Sequence, residues 1–142
     1  MRFDTSPPIS LLPGSLLAGV TAREHDWSFQ FDNGVQVVSE GHWRLVEGQR
    51  VVVTDEDHHQ QFGVPAPMDS ASIVQDKLAG AAVREVAFSD CSDLLLHFTN
   101  GQSLAMLINS AGYENWHVHG PDGSHTLAIG GGELRRVGTG IA

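Results

Sequence analysis

Apolar and polar residues alternate strictly over residues 27–32, where Trp27, Phe29 and Phe31 interleave with Ser28, Gln30 and Asp32. Such alternation turns one face of a strand to a core and the other to water. The pattern returns with Leu94, Leu96 and Phe98, and His97 takes the place of Gln30. Asn33-Gly34 and Asn100-Gly101 each follow one of these strands, and a type I′ turn, which needs positive φ at both central residues, favours that dipeptide. Two hairpins are therefore predicted, with return strands over 35–40 and 102–109. The second return strand carries Leu104, Met106 and Ile108 on one face and Ala105 and Leu107 on the other, which predicts a central strand covered twice. Further strands are predicted over 42–47 and 50–54, around Glu47-Gly48-Gln49. Two more fall at 113–119 and 125–129, around Gly120-Pro121-Asp122-Gly123, whose Pro and Gly suit a type I turn. Helical spacing marks Ile73, Val74 and Leu78, with Asp69 or Ser70 as N-cap and Gly80 as a left-handed closure. A shorter helical turn is predicted from Thr54, with Asp55, Glu56 and Asp57 in its positive first turn.

The chain is written twice. Leu17-Ala18-Gly19 through Arg23-Glu24 matches Leu78-Ala79-Gly80 through Arg84-Glu85, and Phe31-Asp32-Asn33-Gly34 matches Phe98-Thr99-Asn100-Gly101 after a short insertion around 89–93. The predicted fold class is mainly β (α+β): about nine or ten short strands forming two related antiparallel meanders, packed as a sandwich or barrel with pseudo-twofold symmetry and one linking helix. Residues 1–142 read as a single domain. Its parts are an arm at 1–14 whose leucines can pack on it, a first repeat at about 15–54, a linker and helix at 55–80, a second repeat at 78–130 and a flexible tail at 131–142.

Composition narrows the function classes. With 41% hydrophobic and 18% charged residues over 142 positions, the chain has enough core to fold unaided and is not a disordered or coiled-coil sequence. Eight Lys+Arg against seventeen Asp+Glu give a net charge of -9, which disfavours nucleic acid and anionic membrane as partners and suits a basic protein. Protonating all eight His would bring the formal charge from -9 to about -1. The lone Cys91, the prolines that interrupt the first apolar residues and the lack of a long apolar run predict a soluble cytoplasmic protein.

Several residues carry candidate chemistry. His117 and His119 flank Val118, so on a strand both imidazoles project from one face, and His125 across the turn can supply a third nitrogen to a divalent metal such as zinc. Trp116 and Val118 mark the other face of that strand as core. Asp55-Glu56-Asp57-His58-His59 is the densest polar run, but consecutive residues point in different directions, and a solvated acidic turn is the simpler reading. Asp90 and Asp93 beside Cys91 disfavour a thiolate there. Zinc-protease, Cys-pair, Walker and dinucleotide-binding patterns are absent, which argues against an enzyme. Trp27 and Trp116 read as core. Trp43, between His42 and Arg44, reads as an exposed anchor beside an acidic face of Asp55, Glu56, Asp57, Asp90 and Asp93, which would steer a basic partner.

Together with the Leu-Ala-Gly pairs and Asn-Gly hairpins, Ser39-Glu40-Gly41, Tyr113-Glu114-Asn115-Trp116 and Pro121-Asp122-Gly123 resemble the layout of a group of small uncharacterised bacterial β-rich proteins with two internal repeats, over roughly 15–130. Some of these are similar in size and charge to immunity proteins of bacterial toxin systems. The resemblance implies a non-enzymatic acidic binding protein, with no cofactor, that neutralises a toxin. Two other readings stand beside it: a metal-binding protein or metal-dependent enzyme using His117, His119 and His125, and a self-associating module, a homo-oligomer joined through an exposed edge strand.

Overall fold

The computed structural model describes residues 6–138. Among these described residues, eleven strands form two antiparallel sheets in a sandwich-like arrangement, with one α-helix linking the halves of the chain. In chain order the strands are β1 (Leu17–Ala22), β2 (Trp27–Phe31), β3 (Gln36–Ser39), β4 (Trp43–Glu47) and β5 (Arg50–Thr54). Helix α1 (Ser70–Leu78) follows, then β6 (Val83–Phe88), β7 (Leu94–Phe98), β8 (Gln102–Met106), β9 (Trp116–His119), β10 (His125–Ala128) and β11 (Leu134–Val137). One sheet has the order β1-β2-β3-β9-β10-β11 and the other β5-β4-β8-β7-β6.

The predicted parity holds. Phe29, Phe31, Leu94, Leu96 and Phe98 are buried, as are Trp116 and Val118, and one hydrophobic core joins residues of both sheets. Asn33-Gly34 and Asn100-Gly101 lie in the two hairpin turns, but the expected type I′ geometry does not form. Only the glycines have positive φ, Gly34 at +89° and Gly101 at +85°, and Gly34 N donates to Phe31 O and Gly101 N to Phe98 O, which centres the turns on Asp32-Asn33 and Thr99-Asn100. Helix α1 begins where the Asp69 carboxylate accepts from Ser72 N at 3.1 Å, buries Val74 and Leu78, and ends before Gly80 at φ +73°. The short turn after Thr54 is also present, as a single 3-10 turn over Asp55–Asp57 capped by Thr54. Ile9 and Leu12 of the N-terminal arm are buried in the core.

The halves differ from two separate meanders. Chain continuity would keep β4 beside β3 and β9 beside β8, but β9 pairs with β3 and β4 pairs with β8. Each half thus sends its last hairpin to the other half's sheet. The registers obey a pseudo-twofold: Trp116 faces Ser39 as Trp43 faces Met106, and β1 and β6 carry an irregularity at the same place, between Leu17 and Gly19 and between Val83 and Glu85. The axis runs near the sheet edges, where Leu16 bridges Ala82. The position paired with Phe31 is Leu17 and the one paired with Phe98 is Val83. Leu78-Ala79-Gly80, which matches Leu17-Ala18-Gly19 in sequence, instead closes α1.

The glycine-rich end differs from a flexible tail. Residues 134–137 form β11, paired with β10 from Ala128↔Leu134 to His125↔Val137, while residues 139–142 lie outside the described residues. The glycines serve close approach and positive φ. A Cβ at Gly130 would lie 2.6 Å from Gly112 Cα and closer still to Ala111 O, and Gly131 N donates to Ser110 O at 2.9 Å. Backbone cannot yield as a side-chain tip can, so Gly130→Ala is expected to destabilise the protein by about 1–3 kcal/mol, the range of overpacking in a tight interior. Urea unfolding measures it; an unchanged midpoint would mean that the 110–112 segment packs loosely.

Candidate metal centre

The outer face of the six-stranded sheet carries the histidines. Trp116 and Val118 turn into the core, so His117 and His119 turn out, half-buried, beside one another on β9. The hairpin register sets His125 of β10 directly opposite His119. The result is a compact imidazole cluster: His117 Nδ1 lies 3.1 Å from His119 Nε2, and the rings of His119 and His125 stack at 4.1 Å between centroids. One nitrogen from each of the three lies within 4.8 Å of the others. Nitrogens at about 2.0–2.1 Å from a tetrahedral zinc stand about 3.3 Å apart, so the closest pair already has nearly the ligand spacing. His125 Nε2 is enclosed and has no hydrogen-bond partner among the described residues, a state that normally costs stability unless something satisfies the nitrogen.

The exchange of hairpins brings a carboxylate to this cluster. Glu40 follows β3, and its Oε2 lies 2.9 Å from His117 Nε2. Glu40, Glu114 and His117 form a second trio of groups within 4.8 Å of one another. A surface cleft of about 370 Å³, lined by His25, Glu40, Tyr113 and Glu114, opens beside it. The pseudo-twofold supplies an internal control. Arg44 stands where His117 stands, and the pair Val46↔Val51 of the β4-β5 hairpin takes the place of His119↔His125. The fold alone therefore does not demand histidines at these positions.

A family of unknown function (DUF6188) matches residues 25–138. The chain belongs to that family. The DUF6188 match spans β2 through β11, with all three histidines and Glu40, and leaves out β1. No curated protein and no solved structure matches the chain.

The acidic residues are placed differently from an open partner face. Trp43, read from sequence as an exposed anchor, is fully buried, with its ring edge-on to Trp27 at 5.0 Å and to Phe29 at 5.3 Å. The correction has a simple origin: Trp43 shares its parity with Leu45, which is also buried, while Arg44 takes the outer face. Asp55 accepts from Trp43 N at 3.0 Å and meets His42 Nδ1 at 2.7 Å. Asp57 caps its own turn by accepting from Thr54 N, and Asp93 accepts from Ile108 N at 2.7 Å. Three of the five carboxylates thus hold loops together, leaving Glu56 and Asp90 as the exposed ones. Cys91 is exposed. Among the described residues no helix is long and apolar enough to cross a membrane.

Burial holds His119 below the ordinary histidine value, with the positive charge that His125 and His117 would carry adding to it; His125 is lowered chiefly by burial too. A lowered folded-state value means that the unfolded chain takes up the proton first. The stability tied to these neutral rings is therefore present above about pH 6.5 and lost as pH falls below it. His42, raised chiefly by its hydrogen bond to Asp55, acts in the opposite sense, favouring the fold at acid pH and losing that effect as pH rises. Metal-free protein compared at pH 7.5 and 5.5 by urea unfolding should lose less stability on acidification as the double variant His119→Gln/His125→Gln than as wild type. Equal losses would show that these rings do not titrate differently in the folded chain.

Proposed function

We propose that this protein binds one divalent transition-metal ion through His117, His119 and His125, with zinc the best match. The observation that carries the reading is the convergence of three imidazole nitrogens within 4.8 Å on adjacent strands of one sheet. Imidazole suits zinc, copper, nickel and iron, and burial keeps two of the rings in the neutral form that coordination needs. Three protein ligands leave a fourth position on a tetrahedral ion for water or an exogenous group. The site faces outward beside a cleft, so such a group can reach it. The alternative of an acidic protein that neutralises a basic toxin rests on the net charge of -9. It has less behind it with Trp43 buried and Asp55, Asp57 and Asp93 engaged in loops.

Elemental analysis of untagged protein tests the proposal, after dialysis against zinc, copper(II), nickel(II) or cobalt(II) and then against metal-free buffer. One retained equivalent of at least one of these ions, released by a chelator, is the expected result. Protein that returns from every dialysis without metal would end the reading.

A further inference from the structure

We propose that Glu40 is the positioning residue of this centre: its carboxylate holds the ring proton of His117 on Nε2, which leaves Nδ1 as the metal-facing donor. The inference rests on the metal-binding reading for its consequence, though its geometry stands apart from any ion. A neutral imidazole carries one N–H, and a carboxylate can only accept. The 2.9 Å contact between Glu40 Oε2 and His117 Nε2 therefore puts the proton on Nε2, and the lone pair on Nδ1 is turned toward His119 Nε2 at 3.1 Å. An imidazole bonded in this way to a carboxylate has its tautomer and ring orientation set before an ion arrives and is a better donor.

The backbone that carries Glu40 is well held. Glu40 N donates to Asn115 O at 2.9 Å, and Asn115 is fully buried, its side chain accepting from Asn109 N and donating to Tyr113 O. The contact is partly shielded, with side-chain exposures of 18% for His117 and 35% for Glu40. The pseudo-twofold adds a second argument. Leu107 N donates to His42 O as Glu40 N donates to Asn115 O, so Leu107 occupies the position of Glu40 in the half that has Arg44 for His117. The half without the histidines also lacks the carboxylate, as a functional unit of the two would require.

Ring nitrogen shifts of ¹⁵N-labelled, metal-free full-length protein at pH 8 test the tautomer, and zinc affinity by chelator competition tests its effect. Wild type should show His117 mainly as the Nε2–H form. Glu40→Ala should shift it toward the mixed tautomers of a free imidazole and weaken zinc binding by about 10- to 100-fold. Glu40→Gln, whose carbonyl can still accept, should recover part of both, and Glu114→Gln should leave the tautomer unchanged. A wild-type His117 protonated on Nδ1, or a tautomer unmoved by Glu40→Ala, would overturn the inference even if zinc binds. So would a second zinc equivalent lost in Glu40→Ala, which would make Glu40 a ligand. A wild type with the Nε2–H form but no zinc binding would sink the metal reading and leave the tautomer assignment standing.

Discussion

Zinc is expected to raise the stability of the wild-type protein against denaturant, by about 2.7 kcal/mol when free ion stands at about 100 times Kd, and His119→Ala is expected to abolish the gain. The gain follows from linkage, because an ion that binds the folded chain and not the unfolded one shifts the equilibrium toward the fold. His119 is the decisive position, as it contacts His117 through nitrogen and stacks on His125. Its ring lies on the outer face, half-buried, so the metal-free variant should still fold. Comparison of urea midpoints with zinc and with a chelator isolates the effect. A variant that gains as much as wild type would place the ion elsewhere.

Trp43→Ala is expected to be strongly destabilising, with a loss of about 3–5 kcal/mol for removal of a buried large aromatic side chain. Trp43 has no exposed surface and packs edge-on against two aromatic rings, so the cavity left behind cannot close without moving both sheets. Its pseudo-twofold counterpart Trp116 is equally buried and donates from Nε1 to Ser92 O at 2.9 Å. Urea unfolding monitored by circular dichroism measures both variants. A Trp43→Ala protein as stable as wild type would return this residue to the surface role that its charged neighbours suggest.

Those neighbours show how much of the fold could be read in advance. Alternation over β2, β7 and β9 and the two Asn-Gly pairs place the hairpins, though not their turn type, because side-chain parity and the glycine's positive φ are local properties of the chain. Trp43 carried the same signal through its parity with Leu45, but His42 and Arg44 on either side made it look exposed. The glycines at 130–132 looked like flexibility because composition does not tell a loose segment from one where backbones meet. The sheet order was beyond reach. The exchange of β4 and β9 between halves is a long-range choice with no signature in either strand.

The candidate metal centre divides along the same line. His117, His119 and His125 were legible, since one strand parity and one hairpin turn bring them together over nine residues of chain. Glu40 was not, because it lies 77 residues from His117 in sequence and arrives only through the pairing of β3 with β9. In sequence Glu40 stands only within the Ser39-Glu40-Gly41 segment, with nothing that ties it to the histidines. Ser39 is buried beneath the sheet, and His42 turns to Asp55.

Anomalous scattering at the zinc absorption edge, from crystals of the zinc-loaded protein, tests most directly whether three imidazoles converge on one ion. One strong peak about 2.0–2.1 Å from a nitrogen of each of His117, His119 and His125 is the expected result. A peak that touches fewer than three of these rings, or one that appears only between neighbouring molecules in the lattice, would contradict it.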